Sequence, residues 1–348
     1  MLSVHATDEW LFSASKDRTV KVWDLCRKEE VQSLGGHPNN VVVVKYSEQT
    51  RLAFTVSSAF VKVWDLRMNT TGNNNGCIKT LSSSGLTTNG PVQQLPGASS
   101  GIRTLAMPPG ETAINDIALT DSGYGLFSAA ADKVRIWDLR KFHSIGKLSG
   151  GHQAAVMCLT TGPTLSSFSG EQLPSMNMDI GENERQYYVV TGSKDHYIKI
   201  FNVTDGRGGV VAPSTNLDPP HYDGIECLAL RGDKLFSASR DTCIKKWNVR
   251  TGELVRSINN AHKDWICGLA FLPGDKTIVS GCRAGYIKLW SADSCMPVGE
   301  MKAHNSTINT IATNNAHVFT GSNDGSIGMW KIRNPENYDK SPDTSESS

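Results

Sequence analysis

Long apolar runs are missing from this 348-residue chain: no stretch approaches eighteen uncharged hydrophobic residues, and no basic head leads an apolar segment near Met1. Neither a membrane span nor a secretory signal is therefore expected within it. Charge of one sign is lacking too, since 35 Lys and Arg face 34 Asp and Glu. That balance argues against binding nucleic acid or a membrane surface through bulk charge. The eight cysteines include no C-x-x-C pair and no cysteine-histidine cluster at zinc spacing, so reduced thiols and no metal site are expected. Glycine and proline, 32 and 14 residues, are too few for a collagenous or low-complexity polymer. The phosphate loop G-x-x-x-x-G-K-[ST], H-E-x-x-H and G-x-S-x-G are all absent. The expectation is a recognition module without a cofactor, and not an enzyme.

What is present is a phrase that recurs. An alternating run ends on an aromatic residue at Trp23, Trp64, Trp137, Phe201, Trp247, Trp290 and Trp330, at spacings of 41, 73, 64, 46, 43 and 40 residues. TVKVWDL, KVRIWDL and YIKLWSA are examples. Each run follows a second one rich in small residues, such as LFSASKD, LFSASRD or VFTGSND, and a third apolar run such as GIECLAL or TINTIAT comes before that. Period-2 alternation in short runs bounded by Gly, Asp and Asn predicts antiparallel strands. Four strands make a blade, and seven blades close a ring.

The two long gaps mark insertions, 67–112 and 161–186. The first contains an outer strand at Cys77–Leu81 followed by a Ser/Gly/Thr/Pro-rich loop, and both insertions read as solvated loops. The polar tail 334–348 reads as disordered.

Gly36-His37, Trp23-Asp24 and SASRD resemble the WD40 family, whose repeats run 40–45 residues. The resemblance implies an all-β, seven-bladed propeller over residues 1–333, its repeats ending near 25, 66, 139, 203, 249, 292 and 332. It also implies a buried hydrogen-bond network in each repeat: a His before the first strand, a Ser or Thr in the second, an Asp in the turn, and the third-strand Trp. Repeat five supplies His221, Ser237, Asp241 and Trp247; repeat seven supplies His304, Thr320, Asp324 and Trp330. Both look complete. Repeat four has Phe201 in place of Trp, repeats six and two carry Ala284 and Ala59 in place of Asp, and repeat three has Asp132 but no His. A Ser, His and Asp together also suggest a hydrolytic triad, but a triad occurs once in one pocket, whereas this trio recurs with the fold period.

The first repeat begins directly on its first strand, Leu2–Ala6. In WD40 rings the outer strand of the last blade usually comes from upstream of the first repeat. The resemblance therefore implies that the seventh blade lacks that strand and that the chain is a fragment or truncated product of a longer parent.

Such propellers often bind partners on the rim formed by the turn after the second strand and the loop entering the first. The residues just before the turn Asp, or its replacement, are Lys16, Ser58, Ala131, Lys194, Arg240, Arg283 and Asn323, four of them basic. The entry loops add Tyr222, Lys263 and Trp265. A basic, aromatic face is expected to attract an acidic, flexible partner.

Several phrases that the repeat does not dictate, including FTVSSAFVKVWDLR, TGSKDHYIKIF, PPHYDGIE, NAHKDWIC and MPVGEMKAH, resemble the C-terminal propeller of kinesin-like motors of the kinesin-four group. That resemblance implies a cytoplasmic, microtubule-associated tail domain that aids microtubule or cargo binding and restrains microtubule growth. The parent would be an ATP-hydrolysing motor, dimeric through a coiled coil. A competing class is the substrate receptor of a cullin-ring ubiquitin ligase, because VWDLR, IWDLR and KWNVR resemble its Trp-Asp-x-Arg signature; a general scaffold is a third.

Overall fold

The computed structural model describes residues 1–67, 76–90, 107–164 and 185–332. The predicted tail, residues 68–75 and 91–106 of the first insertion and 165–184 of the second lie outside these. All regular elements among the described residues are strands, grouped into seven sheets that are antiparallel except for one pairing. Their first strands are Ser3–Ala6, Val41–Ser47, Ile114–Leu119, Val156–Pro163, Ile225–Arg231, Ile266–Phe271 and Ile308–Thr313. Each first strand packs against the next, and Ser3–Ala6 packs against Ile308–Thr313, so the sheets close into a ring of seven blades with these strands innermost.

Alternation explains the packing. In the second strand of blade two, Leu52–Ser57, every residue is buried because neighbouring blades cover both faces. Phe12, Phe54, Phe127, Phe236 and Phe319, all at one position of the second strand, are buried between blades. The outermost strands are solvated: Pro297–Lys302 in blade six is exposed at every position.

Polar side chains latch adjacent inner strands together. Most inner strands carry a bulge near their start. The position after it, or its counterpart in blade one, reaches the following blade. Thr310 Oγ1 accepts the Val4 amide at 3.3 Å, Ser3 Oγ the Val44 amide at 3.3 Å, and Asp116 Oδ2 the Leu159 amide at 2.9 Å. Cys158 and Cys227 occupy the same position and direct their thiols to the carbonyls of Ile225 and Ile266 at 3.8 and 3.9 Å. Burial pushes both thiols far up from their ordinary pKa, so these cysteines act as small packing groups with weak donors.

Among the described residues, blades seven and one meet without a shared strand. Among the described residues the seventh sheet has three strands. The seam is held instead by Met1 N to Ser322 O at 2.6 Å, Asn309 Nδ2 to Met1 O at 2.7 Å and Asn314 Nδ2 to Thr7 O at 2.9 Å. Val4, Leu11 and Phe319 form its apolar core.

Three segments depart from the sequence reading. Thr87–Asn89, expected as loop, adds a fifth strand to blade two. In blade four the first and second strands run on to Pro163 and back from Gln186, so the edges of that insertion are a lengthened hairpin. Gly209–Val211 pairs in parallel with the outer strand of blade three, His143–Leu148. A Cβ on Gly146 would lie 2.2 Å from the Gly209 carbonyl oxygen, so this close approach requires glycine.

Candidate functional site

The buried network and the rim are two parts of one architecture, because the turn that carries the network Asp also carries the rim residue. In blade five, Asp241 Oδ2 accepts from His221 Nδ1 at 2.9 Å and from the Tyr222 amide at 2.9 Å, and Oδ1 accepts the Cys243 amide at 2.9 Å. Donation from Nδ1 leaves Nε2 as an acceptor for the Ser237 hydroxyl at 2.8 Å, and Ser237 Oγ in turn accepts the Trp247 indole N–H at 2.9 Å. Burial alone would raise the Asp241 carboxyl; the hydrogen bond from His221 and those from the two amides outweigh it and hold the pKa at about 2. Ser237 is fully buried, so no substrate can reach it as a nucleophile.

Blade four repeats the pattern through His152, Asp195 and Thr191, at 2.8 Å on each side of the ring. Asp195 is likewise lowered to about 2, against burial, by the His152 hydrogen bond and the Gln153 amide. Phe201 brings no donor, and Thr191 Oγ1 turns toward the Lys199 carbonyl at 3.4 Å.

Blade seven differs from the expected complete tetrad. His304 Nε2 meets Thr320 Oγ1 at 2.7 Å, but Nδ1 faces Ser326 Oγ at 3.2 Å while Asp324 stands 3.8 Å away. Ser326 donates to Asp324 at 2.6 Å and so relays the contact. Asp324 remains exposed in consequence.

Blades two and three have shorter turns than the repeat pattern implied. Ser57 pairs with Phe60 around Ser58-Ala59, and Ala130 with Lys133 around Ala131-Asp132; Ser58 and Ala131 adopt φ of 53° and 52°. These two-residue turns have no room for a network Asp. Asp132 is solvent-facing, with a side chain 46% exposed, and holds no histidine among the described residues. His37 instead donates Nδ1–H to the Arg18 carbonyl of blade one at 2.9 Å, and its Nε2 accepts from Thr55.

Blade six leaves the network open. His262 Nε2 meets Ser280 at 2.7 Å, but with Ala284 in the turn its buried Nδ1 has no partner among the described residues. Ala284→Asp is expected to stabilise the propeller by about 1 kcal/mol. Urea unfolding would measure the gain, and NMR titration would show the His262 pKa rising from about 4.

On the rim, residues of blades one, five, six and seven converge on a recess of about 350 Å³. Arg240 and Arg283 each place a guanidinium carbon 4.5 Å from the Trp265 ring centre, a favourable cation–π geometry. Arg240 is also ion-paired to Glu226, an inner-strand bulge residue that the sequence reading passed over. Arg283 has no acidic partner among the described residues and is exposed. Lys16 donates to Asn323 across the seam at 2.9 Å. Lys194 lies against Gly224 beside Arg240. Tyr222, 88% exposed, and the exposed Lys263 lie on the entry loops, outside the recess.

Two of the three arginines of the ligase-like signature fold back onto an aspartate of their own segment. Arg67 forks onto Asp65 at 2.8 and 2.7 Å, and Arg140 bonds Asp138 at 3.0 Å.

The WD domain, G-beta repeat family matches residues 2–24, 252–291 and 295–331, which hold the first three strands of blade one and the strands of blades six and seven. The chain is a WD40-repeat propeller. Over 96% of its length this propeller is 48% identical to kinesin-like protein KIF21A of Homo sapiens, and over 95% it is 46% identical to human kinesin-like protein KIF21B. It is 31% identical to kinesin-like protein klp-12 of Caenorhabditis elegans over 95% of the chain. The WD40 propeller spans about a fifth of the length of these relatives, 18%, 18% and 20% respectively.

Proposed function

We propose that this WD40 propeller serves a kinesin-like protein as a microtubule- or cargo-binding tail, and that its rim docks onto the acidic tails of tubulin. The observation carrying this reading is the distribution of charge. Lys194, Arg240, Arg283 and Lys16 project from the equivalent turns of blades four, five, six and one, whereas blades two and three offer Ser58 and Ala131. A neutral total thus conceals a one-sided basic arc, and such an arc raises the encounter rate with an acidic, flexible polymer. Restraint of microtubule growth, ATP hydrolysis by a motor and a place on the cytoskeleton belong to the same proposal for a full-length parent.

Microtubule co-sedimentation across a salt series tests it. Binding is expected to weaken steeply with salt, and Arg240→Glu with Arg283→Glu is expected to reduce affinity about tenfold or more at low salt. Unchanged sedimentation of a folded double variant would overturn the reading.

A further inference from the structure

The cations of the arc are not equivalent, and the recess between them has the build of a selective site. Arg240 is neutralised by Glu226 and stacked on Trp265. Arg283 stacks on the same indole but keeps its N–H donors free of any acidic partner among the described residues. Its neighbours in the recess are Lys16, Thr307, Asn309 and Asn323, so donors and a second cation surround the space it faces. Lys16 and Asn309 are tied across the seam, to Asn323 Oδ1 at 2.9 Å and Met1 O at 2.7 Å.

We infer that the recess receives one glutamate side chain of an extended acidic peptide, its carboxylate forked by the Arg283 guanidinium, and that Glu226 limits the affinity by occupying Arg240. This deepens the rim reading above, since it names the chemistry of the seat within the same face. A guanidinium fork matches a carboxylate in two parallel hydrogen bonds. Stacking on Trp265 holds that fork in place before binding, so little side-chain freedom is lost when the peptide arrives. Glu226 adds a fixed negative charge to the floor, which penalises a doubly charged phosphate more than a singly charged carboxylate.

The test uses a fluorescein-labelled decaglutamate peptide and the isolated chain, read by anisotropy at low salt, with decaglutamine and a phosphoserine peptide of equal length as comparisons. Arg283→Gln is expected to weaken decaglutamate binding about tenfold. Glu226→Gln is expected to tighten it about threefold by freeing Arg240, a direction that a diffuse basic surface would not give. Arg256→Gln, the same loss of charge on the exposed outer strand of blade five, is expected to leave binding unchanged. Circular dichroism melts confirm that each variant is folded.

Equal losses for Arg283→Gln and Arg256→Gln, no tightening in Glu226→Gln, or stronger binding of the phosphoserine peptide would each overturn the inference. Decaglutamate binding with these variant effects, but no sedimentation with microtubules, would uphold the seat and overturn the tubulin reading. Microtubule binding indifferent to Arg283→Gln and Glu226→Gln would do the reverse.

Discussion

Replacing Asp241 with alanine is expected to lower the unfolding free energy by about 3 kcal/mol. The carboxylate accepts three hydrogen bonds, from His221 Nδ1, the Tyr222 amide and the Cys243 amide. Its partner His221 has no exposed side-chain surface. Truncation strands the ring N–H in the interior, and an unsatisfied buried donor costs about 1–3 kcal/mol before the lost charge-assisted bonds are counted. The depressed carboxyl pKa, about 2 against an ordinary 3.8, points to the same scale, about 2 kcal/mol.

Blade six sets an upper bound on this effect, because it keeps its fold with Ala284 in that turn and an orphaned His262 Nδ1. The loss should therefore weaken the ring without abolishing it. Asp132→Ala supplies the contrast: the residue type is the same and the place in the repeat nominally equivalent, but it sits on a solvent-facing two-residue turn. A change within about 0.5 kcal/mol is expected there. Urea unfolding of both variants decides the matter, and an Asp241→Ala midpoint equal to the parent's would show that the network contributes nothing.

The contrast between Asp241 and Asp132 also shows which features of this propeller could be read before its structure. The seven anchor aromatics and the small-residue strands before them carry the ring, because their burial is dictated by a period the sequence displays. The turn lengths were displayed as well, in a subtler way. Ser237 precedes Trp247 by ten residues, as Ser13 precedes Trp23, but Thr55 precedes Trp64 and Ser128 precedes Trp137 by nine. That single missing residue removes the room for a network Asp in blades two and three.

Other features had no such signal. The insertion of Ser326 between His304 and Asp324 depends on a side-chain torsion. The parallel pairing of Gly209–Val211 with blade three joins segments that are not adjacent in sequence. Glu226 stood in plain view at the end of PPHYDGIE, yet only the bulge that turns it toward Arg240 gives it a role. Seam residues such as Asn309 and Asn314 likewise acquire meaning only when blade seven meets blade one.

Mild acid is expected to weaken the propeller before Asp195 and Asp241 titrate. His37 and His262 are both buried, and burial, with the charges of Lys62 and Lys288 nearby, lowers each pKa from 6.5 to about 4. A folded-state pKa below the unfolded value means that the unfolded chain takes up protons first as pH falls. The contribution of these neutral rings is complete above pH 6.5 and drains away between pH 6.5 and 4. At pH 5 each histidine then costs about 2 kcal/mol, so the pair removes about 4 kcal/mol, a large share of a typical domain's stability. Asp195 and Asp241 follow lower down. Their pKa values near 2 keep their contribution intact above 3.8 and release it only as pH drops from there toward 2. Stability against pH should therefore fall in two stages, the histidine stage first. Urea midpoints at pH 7.5, 6, 5 and 4 would trace the curve. The Ala284→Asp variant, whose new carboxylate can accept the His262 Nδ1–H, should flatten the upper stage in part, His37 and His5, the latter lowered by burial to about 3, keeping theirs; a curve level from pH 7.5 to 5 in the parent would show that these rings are not held neutral by the fold.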